Sequence, residues 1–151
     1  MILPILQHPN LILDTVCHPV EAIDETIQQL VQDMEDTLAD SQGIGLAAPQ
    51  VGQSLRIFIV KTRQGMVTFI NPEVELFGDE IQSEEGCLSF KDQPAMVPRR
   101  QGVKVAATDL DGEVFQLTAD NFFAIVIQHE NDHLHGKTIA PYRISSNEMA
   151  S

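Results

Sequence analysis

An apolar segment that leads directly into a histidine motif constrains this chain more than any other feature. Residues 122–127 are all apolar, and His129-Glu-Asn-Asp-His133 follows them after one glutamine. A helix that is apolar on every side has to be buried, so we predict a buried helix that begins between Thr118 and Asn121 and ends near Gly136. Because buried polar groups need a partner or a metal ion, the motif at the end of this helix indicates a functional site.

The motif has the spacing of a metal site. His129, Glu130 and His133 fit the pattern H-E-x-x-H. Helical residues four apart lie on one face with Cβ atoms about 5–6 Å apart, so both imidazoles can reach one ion. Glu130 lies about 100° around the helix axis, and it can therefore contact water at the ion. The alternative is a solvated helix end that carries two surface histidines.

A catalytic metal site needs a third protein ligand and an open coordination position. Cys87 is the first candidate, because a thiolate binds transition metals well and the glycine before it lets the loop approach the helix. A lone cysteine of this kind is more often a small buried hydrophobic residue. His135 and the pair Cys17-His18 are the alternative ligands, although His135 follows His133 by two residues and points away from it on a helix.

The rest of the chain predicts one further helix and two hairpins. Apolar residues recur at helical spacing from about Asp24 to Asp40, with Asp24 as the N-cap. Short β-branched and aromatic runs predict hairpins around two turns, Gln64-Gly65 and Asp111-Gly112. Strands that are separate in sequence from the helices indicate the α+β class. We expect a single compact domain, residues 1–151, with short antiparallel or mixed β-sheets around the buried helix.

The composition limits which partners the protein is expected to bind and indicates the compartment in which it acts. The formal net charge is −13, with 9 Lys and Arg against 22 Asp and Glu, which argues against direct binding to nucleic acid or to an anionic membrane. The 2 cysteines fit a reducing compartment. The segment MILPILQHPN lacks the basic and long apolar parts of a signal peptide, and no run approaches the roughly 18 apolar residues of a membrane span. We therefore expect a cytoplasmic protein.

Three separated motifs together resemble those of the peptide deformylases. They are GIGLAAPQ at 43–50, EGCLS at 85–89 and QHENDH at 128–133. The resemblance extends over nearly the whole chain, including the HPNLIL opening and the MVPR segment that ends at Arg99. Many members continue into a C-terminal helix, whereas this sequence ends soon after Pro141-Tyr142. We expect a form with a short C-terminus, and hence no ribosome docking through such a helix.

The resemblance implies a role for each motif residue. Cys87, His129 and His133 would bind one divalent ion, commonly iron(II) in this family, with zinc, nickel or cobalt as substitutes. Glu130 would be the general acid and base. The side chain of Gln50 and the backbone N–H of Leu88 would hold the oxyanion.

Substrate residues follow from the same resemblance and from the placement of apolar side chains. Gly43, Ile44 and Gly45 would line the substrate strand. We expect the methionine side chain of the substrate to enter an apolar pocket built from four residues, with His129 at its edge: Ile44, Phe122, Ile125 and Val126. Phe90-Lys91 and Pro94 depart from the pattern of the family at positions that bear on substrate contacts.

The function implied is that of a metal-dependent hydrolase that removes the N-formyl group from the N-terminal formylmethionine of newly made polypeptides and releases formate. Its partners would be N-formylmethionyl nascent chains, and we expect a monomer. Two other functions fit the sequence less well. A zinc peptidase of the H-E-x-x-H kind takes its third ligand downstream of the helix, where this sequence offers no convincing Glu or His. A deformylase-like binding module would have lost Glu130, Gln50 or a metal ligand, and all of these are present.

Overall fold

A five-stranded antiparallel sheet lies between two helices. The computed structural model describes residues 1–144, and the sheet order is β1-β2-β3-β4-β5. The elements are α1 (Glu25–Ala39), β1 (Gly45–Ala47), β2 (Ile57–Thr62), β3 (Gly65–Cys87), β4 (Phe90–Thr108), β5 (Val114–Asp120) and α2 (Asn121–Leu134). Short 3-10 helices cover Leu11–Asp14, Ala48–Val51 and Ala140–Tyr142. The α+β class is confirmed.

Strand β2 separates two apolar layers because its successive side chains point to opposite faces of the sheet. Ile57 and Ile59 pack in one cluster with the buried side chains of α1, which are Ile27, Val31, Met34 and Leu38. Phe58 and Val60 pack in the other cluster with Ala124 and Ile127 of α2. The two helices therefore cover opposite faces of the sheet, and the buried side of α2 packs on the apolar cluster that includes Phe58 and Val60.

Helix α1 begins and ends as its sequence pattern predicts. The Asp24 side chain accepts a hydrogen bond of 3.0 Å from the Ile27 N–H, which satisfies one of the free donors of the first turn. The predicted range of 24–40 matches the observed Glu25–Ala39 with its two caps. Both predicted hairpins are also present, since β2 pairs with β3 across Gly65, and β4 pairs with β5.

Strands β3 and β4 are longer than the short strands expected from the sequence. They have 23 and 19 residues, and their pairing shifts register at three places, between Ile70 and Glu73, Phe77 and Glu80, and Glu85 and Cys87. The first two shifts each place one extra residue on β3, as a β-bulge does, and the third is a larger irregularity next to the β3–β4 turn. Each strand continues through them. The bent pair brings the β3–β4 turn to the side of α2.

Helix α2 lies within its predicted limits, but its first turn is not buried on every side. Ala124 and Ile127 are fully buried, whereas Phe122 is 65% exposed. Phe122 borders an open cleft rather than the sheet, so the helix is enclosed only from its second turn. Its C-terminal turn is fixed by Gly136, whose φ is +71° and whose Cβ, if present, would lie 2.7 Å from the Asp14 carbonyl oxygen.

None of the helices in residues 1–144 is both long enough and apolar enough to cross a membrane. Residues 145–151 lie outside the described part of the chain, and the expectation about a C-terminal helix falls partly on them.

Candidate metal centre

The last residue of β3 meets two histidines of α2. The Cys87 Sγ, one nitrogen of His129 and one of His133 all lie within 4.8 Å of one another, and Cys87 Sγ is 3.4 Å from His133 Nε2. Around a tetrahedral ion with bonds of about 2.3 Å to sulfur and 2.0–2.1 Å to nitrogen, ligand atoms lie about 3.4–3.6 Å apart. The three side chains therefore fit one transition-metal ion with only small adjustments.

The alternative ligands are not brought to this place. Within residues 1–144, this trio is the only group of three or more His, Cys, Asp or Glu side chains that could share an ion. Cys17 belongs to the apolar cluster under α2, and burial raises the pKa of its thiol to about 11. His135 caps the C-terminus of α2 and its backbone bridges to Val16.

A carboxylate on the side of His129 away from the metal centre orients its imidazole ring. Nδ1 of His129 lies 2.8 Å from Glu85 Oε1. A proton shared with this carboxylate leaves Nε2 with its lone pair free for an ion. Arg99 in turn donates to both Glu85 oxygens, at 2.9 and 2.8 Å, and pairs with Asp132 of α2. Burial of Glu85 acts to raise the pKa of its carboxyl, but the hydrogen bonds from Arg99 and His129 outweigh it and lower that pKa to about 2.

The surroundings of the two histidines suit a bound cation. Burial acts to lower the pKa of His129, but the Cys87 thiol, Glu85 and Glu130 outweigh it and hold that pKa well above its ordinary value. Burial lowers the pKa of His133 well below its ordinary value, which keeps this imidazole in the neutral form that binds metals. The anionic groups around His129 therefore favour a positive charge on its side of the centre, while His133 offers a neutral nitrogen.

Glu130 is a buried carboxylate with a free oxygen. It is 4% exposed, and its Oε1 has no hydrogen-bond partner within residues 1–144. Burial raises the pKa of this carboxyl to about 7. A buried oxygen without a protein partner is satisfied by water or by a ligand. Glu130 is thus placed to exchange a proton near neutral pH, beside the metal ligands of its own helix.

Gln50 directs its amide donors toward the same place. The side-chain oxygen of Gln50 accepts from the Ala47 N–H at 2.9 Å. This bond fixes which end of the amide faces the centre, and Nε2 lies 3.5 Å from Cys87 Sγ and 3.2 Å from Ser89 Oγ. Leu88 occupies the turn between β3 and β4, next to these groups.

A cleft of about 430 Å³ opens beside the ligands. It is bordered by nearly all of the residues singled out in the sequence: Gly43, Ile44, Gly45, Gln50, Cys87, Leu88, Phe122, Ile125, Val126, His129 and Glu130. His133 is 1% exposed and lies beneath the cleft rather than on its wall. The four apolar residues predicted to form one pocket are therefore on the walls of a single cleft.

Sequence reasoning missed the residues behind the ligands. Glu85, Arg99, Asp132 and Ser89 all make side-chain hydrogen bonds to the predicted site or to one another. A signal for Glu85 was available, because it precedes Cys87 by two residues and therefore points to the same face of a strand. No comparable signal connects Arg99 to this place, since its contact depends on the register between β3 and β4.

Comparison with known proteins points to one family. The sequence profile of the family described as polypeptide deformylase matches residues 2–148. A peptide deformylase structure from Legionella pneumophila is 37% identical, with a TM-score of 0.91, and the match covers 99% of this chain and 90% of that one. The peptide deformylase of Thermotoga maritima is 36% identical, with a TM-score of 0.90 and coverage of 96% and 99%. That of Synechococcus elongatus, solved in complex with actinonin, is 32% identical, with a TM-score of 0.91 and coverage of 98% and 82%.

Proposed function

The chain belongs to the polypeptide deformylase family, and we propose a role in the reaction for each residue of its site. It is a metal-dependent hydrolase that removes the N-formyl group from the formylmethionine of new polypeptides and releases formate. The observation that carries the proposal is the meeting of Cys87, His129 and His133 around one point, at the wall of a cleft that also holds Glu130.

Cys87, His129 and His133 would hold the divalent ion. When bound, such an ion lowers the pKa of a water ligand to about 7 and polarises a carbonyl oxygen. We propose iron(II), the ion that the family resemblance implies, with zinc, nickel or cobalt as substitutes, because one thiolate and two imidazoles also suit those ions. Metal analysis of the purified protein tests this assignment. The purification is anaerobic, because iron(II) and the Cys87 thiolate can both be oxidised.

Glu130 would be the proton carrier. It takes a proton from the attacking water and delivers it to the amine that leaves with the peptide. Its carboxyl pKa of about 7, raised by burial, suits both directions of this transfer at neutral pH. Its free Oε1 is the atom that accepts the proton.

Two donors would stabilise the negative oxygen that develops on the formyl carbon. They are the Gln50 side-chain amide, oriented by Ala47, and the backbone N–H of Leu88. One such donor typically contributes about 2.7–4 kcal/mol to transition-state stability. A neutral amide provides this hydrogen bond without adding a charge that would compete with the ion.

The substrate would lie along Gly43, Ile44 and Gly45, with its methionine side chain in the apolar part of the cleft formed by Ile44, Phe122, Ile125 and Val126. Crowding around the reacting carbonyl would leave room for the hydrogen of a formyl group but not for the methyl group of an acetyl group. Overpacking of this kind forces backbone shifts, so it discriminates more strongly than an underfilled pocket.

The test compares three tripeptides at identical metal loading: formyl-Met-Ala-Ser, acetyl-Met-Ala-Ser and formyl-Asp-Ala-Ser. We expect turnover of the first alone. Comparable rates on the first two would contradict deformylation as the specific reaction and favour a general amide hydrolase. Comparable rates on the first and third would contradict the apolar pocket.

The partners and the location are part of the proposal. The substrates would be N-formylmethionyl nascent chains, and the protein would act as a cytoplasmic monomer without binding nucleic acid. The excess of acidic residues and the free thiols of Cys17 and Cys87 support this interpretation. Light scattering after size-exclusion chromatography tests the monomer, and fractionation of the source cells tests the location.

A further inference from the structure

The N-terminal segment, residues 5–8, is hydrogen-bonded to both elements that carry the proposed oxyanion donors. The Leu6 N–H donates to the Gln50 carbonyl oxygen at 2.7 Å, and the His8 N–H donates to the Ser89 carbonyl oxygen at 2.9 Å. Gln50 and Ser89 are far apart in sequence and lie on separate elements. The segment therefore acts as a bridge that fixes the 3-10 helix and the β3–β4 turn relative to each other.

Within this bridge, Gln7 makes the contact that matters for the chemistry. Its side-chain Nε2 donates to the Leu88 carbonyl oxygen at 2.9 Å and lies 3.3 Å from the Ile5 carbonyl oxygen of its own segment. We propose that Gln7 is a positioning residue for deformylation, which holds the turn so that the Leu88 N–H and the Gln50 amide face one oxyanion. This inference rests on the function proposed above.

The turn at Leu88 has a geometry that one hydrogen bond can control. Cys87 pairs with Phe90 across the end of the hairpin, so Leu88 and Ser89 are the two central residues of the turn. The peptide between two such residues is the unit that flips when one turn type converts to another. Its oxygen belongs to Leu88, and this is the atom that Gln7 holds. A flip would change the backbone angles of Leu88 and Ser89, turn over the Ser89 N–H of the same peptide and shift the preceding peptide, which carries the Leu88 N–H.

Other contacts of the turn restrain different atoms. The His8 ring stacks on Phe90 with 4.7 Å between the ring centroids, and Gln50 Nε2 donates to Ser89 Oγ at 3.2 Å. These contacts hold the second half of the turn, whereas Gln7 holds the carbonyl of Leu88 itself. Gln7 does not line the cleft that contains Glu130 and His129. Its effect should therefore appear in the rate of the chemical step and not in substrate binding.

The experiment compares two variants of Gln7 with a matched control. Gln7→Met keeps the length of the side chain but removes the donor, and Gln7→His restores a ring N–H at similar reach. Gln28→Met is the control, since Gln28 is an exposed glutamine on α1. The measurements are metal content, kcat and KM on formyl-Met-Ala-Ser, and amide hydrogen exchange of residues 86–90.

We expect Gln7→Met to lower kcat about tenfold, less than the 10²–10³-fold loss typical when an oxyanion donor is removed outright. KM should stay within about twofold, since loss of transition-state contacts alone lowers kcat. Metal content should stay at one ion per chain, exchange at 86–90 should quicken, and Gln7→His should recover most of kcat. Gln28→Met should match the wild type in all four measurements.

Three results would overturn the inference. They are kcat and KM both unchanged in Gln7→Met, a KM raised well beyond twofold, which would mean substrate contact, and loss of metal in step with activity. A wild-type protein that is fully loaded with metal yet inactive on formyl peptides would instead refute the proposed function, and the inference with it. The two failures are thus distinguished by the wild-type assay.

Discussion

Gly45 on β1 and Glu130 on α2 touch so closely that no side chain fits between them. A Cβ at position 45 would lie 2.7 Å from Glu130 Oε2 and 2.9 Å from its Cγ, below any normal contact distance. A side chain at this position would therefore have to displace the Glu130 carboxylate opposite it. The close contact with the Gly45 backbone restricts the Glu130 carboxylate to its position at the cleft wall.

Gly45→Ala should consequently displace the Glu130 carboxylate. Because a positioned acid or base contributes typically about 10²–10⁴-fold, we expect kcat to fall by at least about 10²-fold. The metal ligands are not touched, so metal content should remain one ion per chain. Steady-state kinetics with metal analysis of the same sample checks this, and near wild-type kcat would show that Glu130 has room to move.

Glu130→Gln tests the proton carrier directly. The amide has nearly the same shape as the carboxyl, but it cannot accept the proton of the attacking water. We expect metal content to be retained and kcat to fall by about 10²–10⁴-fold. If metal is lost and activity returns at high metal concentration, Glu130 is instead a ligand or a support for one.

Cys87→Ala should abolish stoichiometric metal binding, because it removes one of the three ligand atoms that meet at this centre. Cys17→Ala is the matched control. Its thiol is buried in the apolar cluster, where burial raises its pKa to about 11, so it stays protonated and does not bind an ion at neutral pH. Metal content that responds to Cys17 and not to Cys87 would show that the ligand set is wrong.

Acid should destabilise the protein in part through Glu85. Its carboxyl pKa is lowered from 4.5 to about 2 in the folded state, so the unfolded chain binds the proton first as pH falls. The stabilisation is complete above the unfolded value and is lost as pH falls from 4.5 toward 2. Between pH 6 and pH 3.5 this linkage is on the order of 1 kcal/mol.

Between the same two pH values, the Glu85→Gln variant should lose less unfolding free energy than the wild type, and the difference should be about this amount. At pH 6 the variant is less stable than the wild type, because Arg99 loses a buried partner. Urea unfolding of metal-free protein at the two pH values gives the comparison. The exposed neighbour Glu84 provides the control, since Glu84→Gln should keep the wild-type pH dependence. Equal losses in wild type and Glu85→Gln would refute the assignment.

Local patterns were sufficient to predict the two helices and the placement of His129 beside His133. The spacing of His129 and His133 is a property of one helix, and the capping of α1 by Asp24 involves residues three apart. Such features depend on contacts within a few residues, so they can be seen in the sequence. The same holds for the turns at Gly65 and Gly112.

The parts of the fold and of the site that could not be predicted depend on contacts between residues far apart in the sequence. The α+β class, the two helices and the hairpin turns could all be predicted from sequence patterns, and three motifs indicated the family. Only the tertiary structure decided that Arg99 holds Glu85 behind His129 and that Phe122 is exposed at a cleft. The contact of Arg99 with Glu85 depends on the register between β3 and β4, and no short stretch of sequence specifies how two long strands align. The exposure of Phe122 depends on where the sheet ends beneath α2, which is likewise a property of the whole fold.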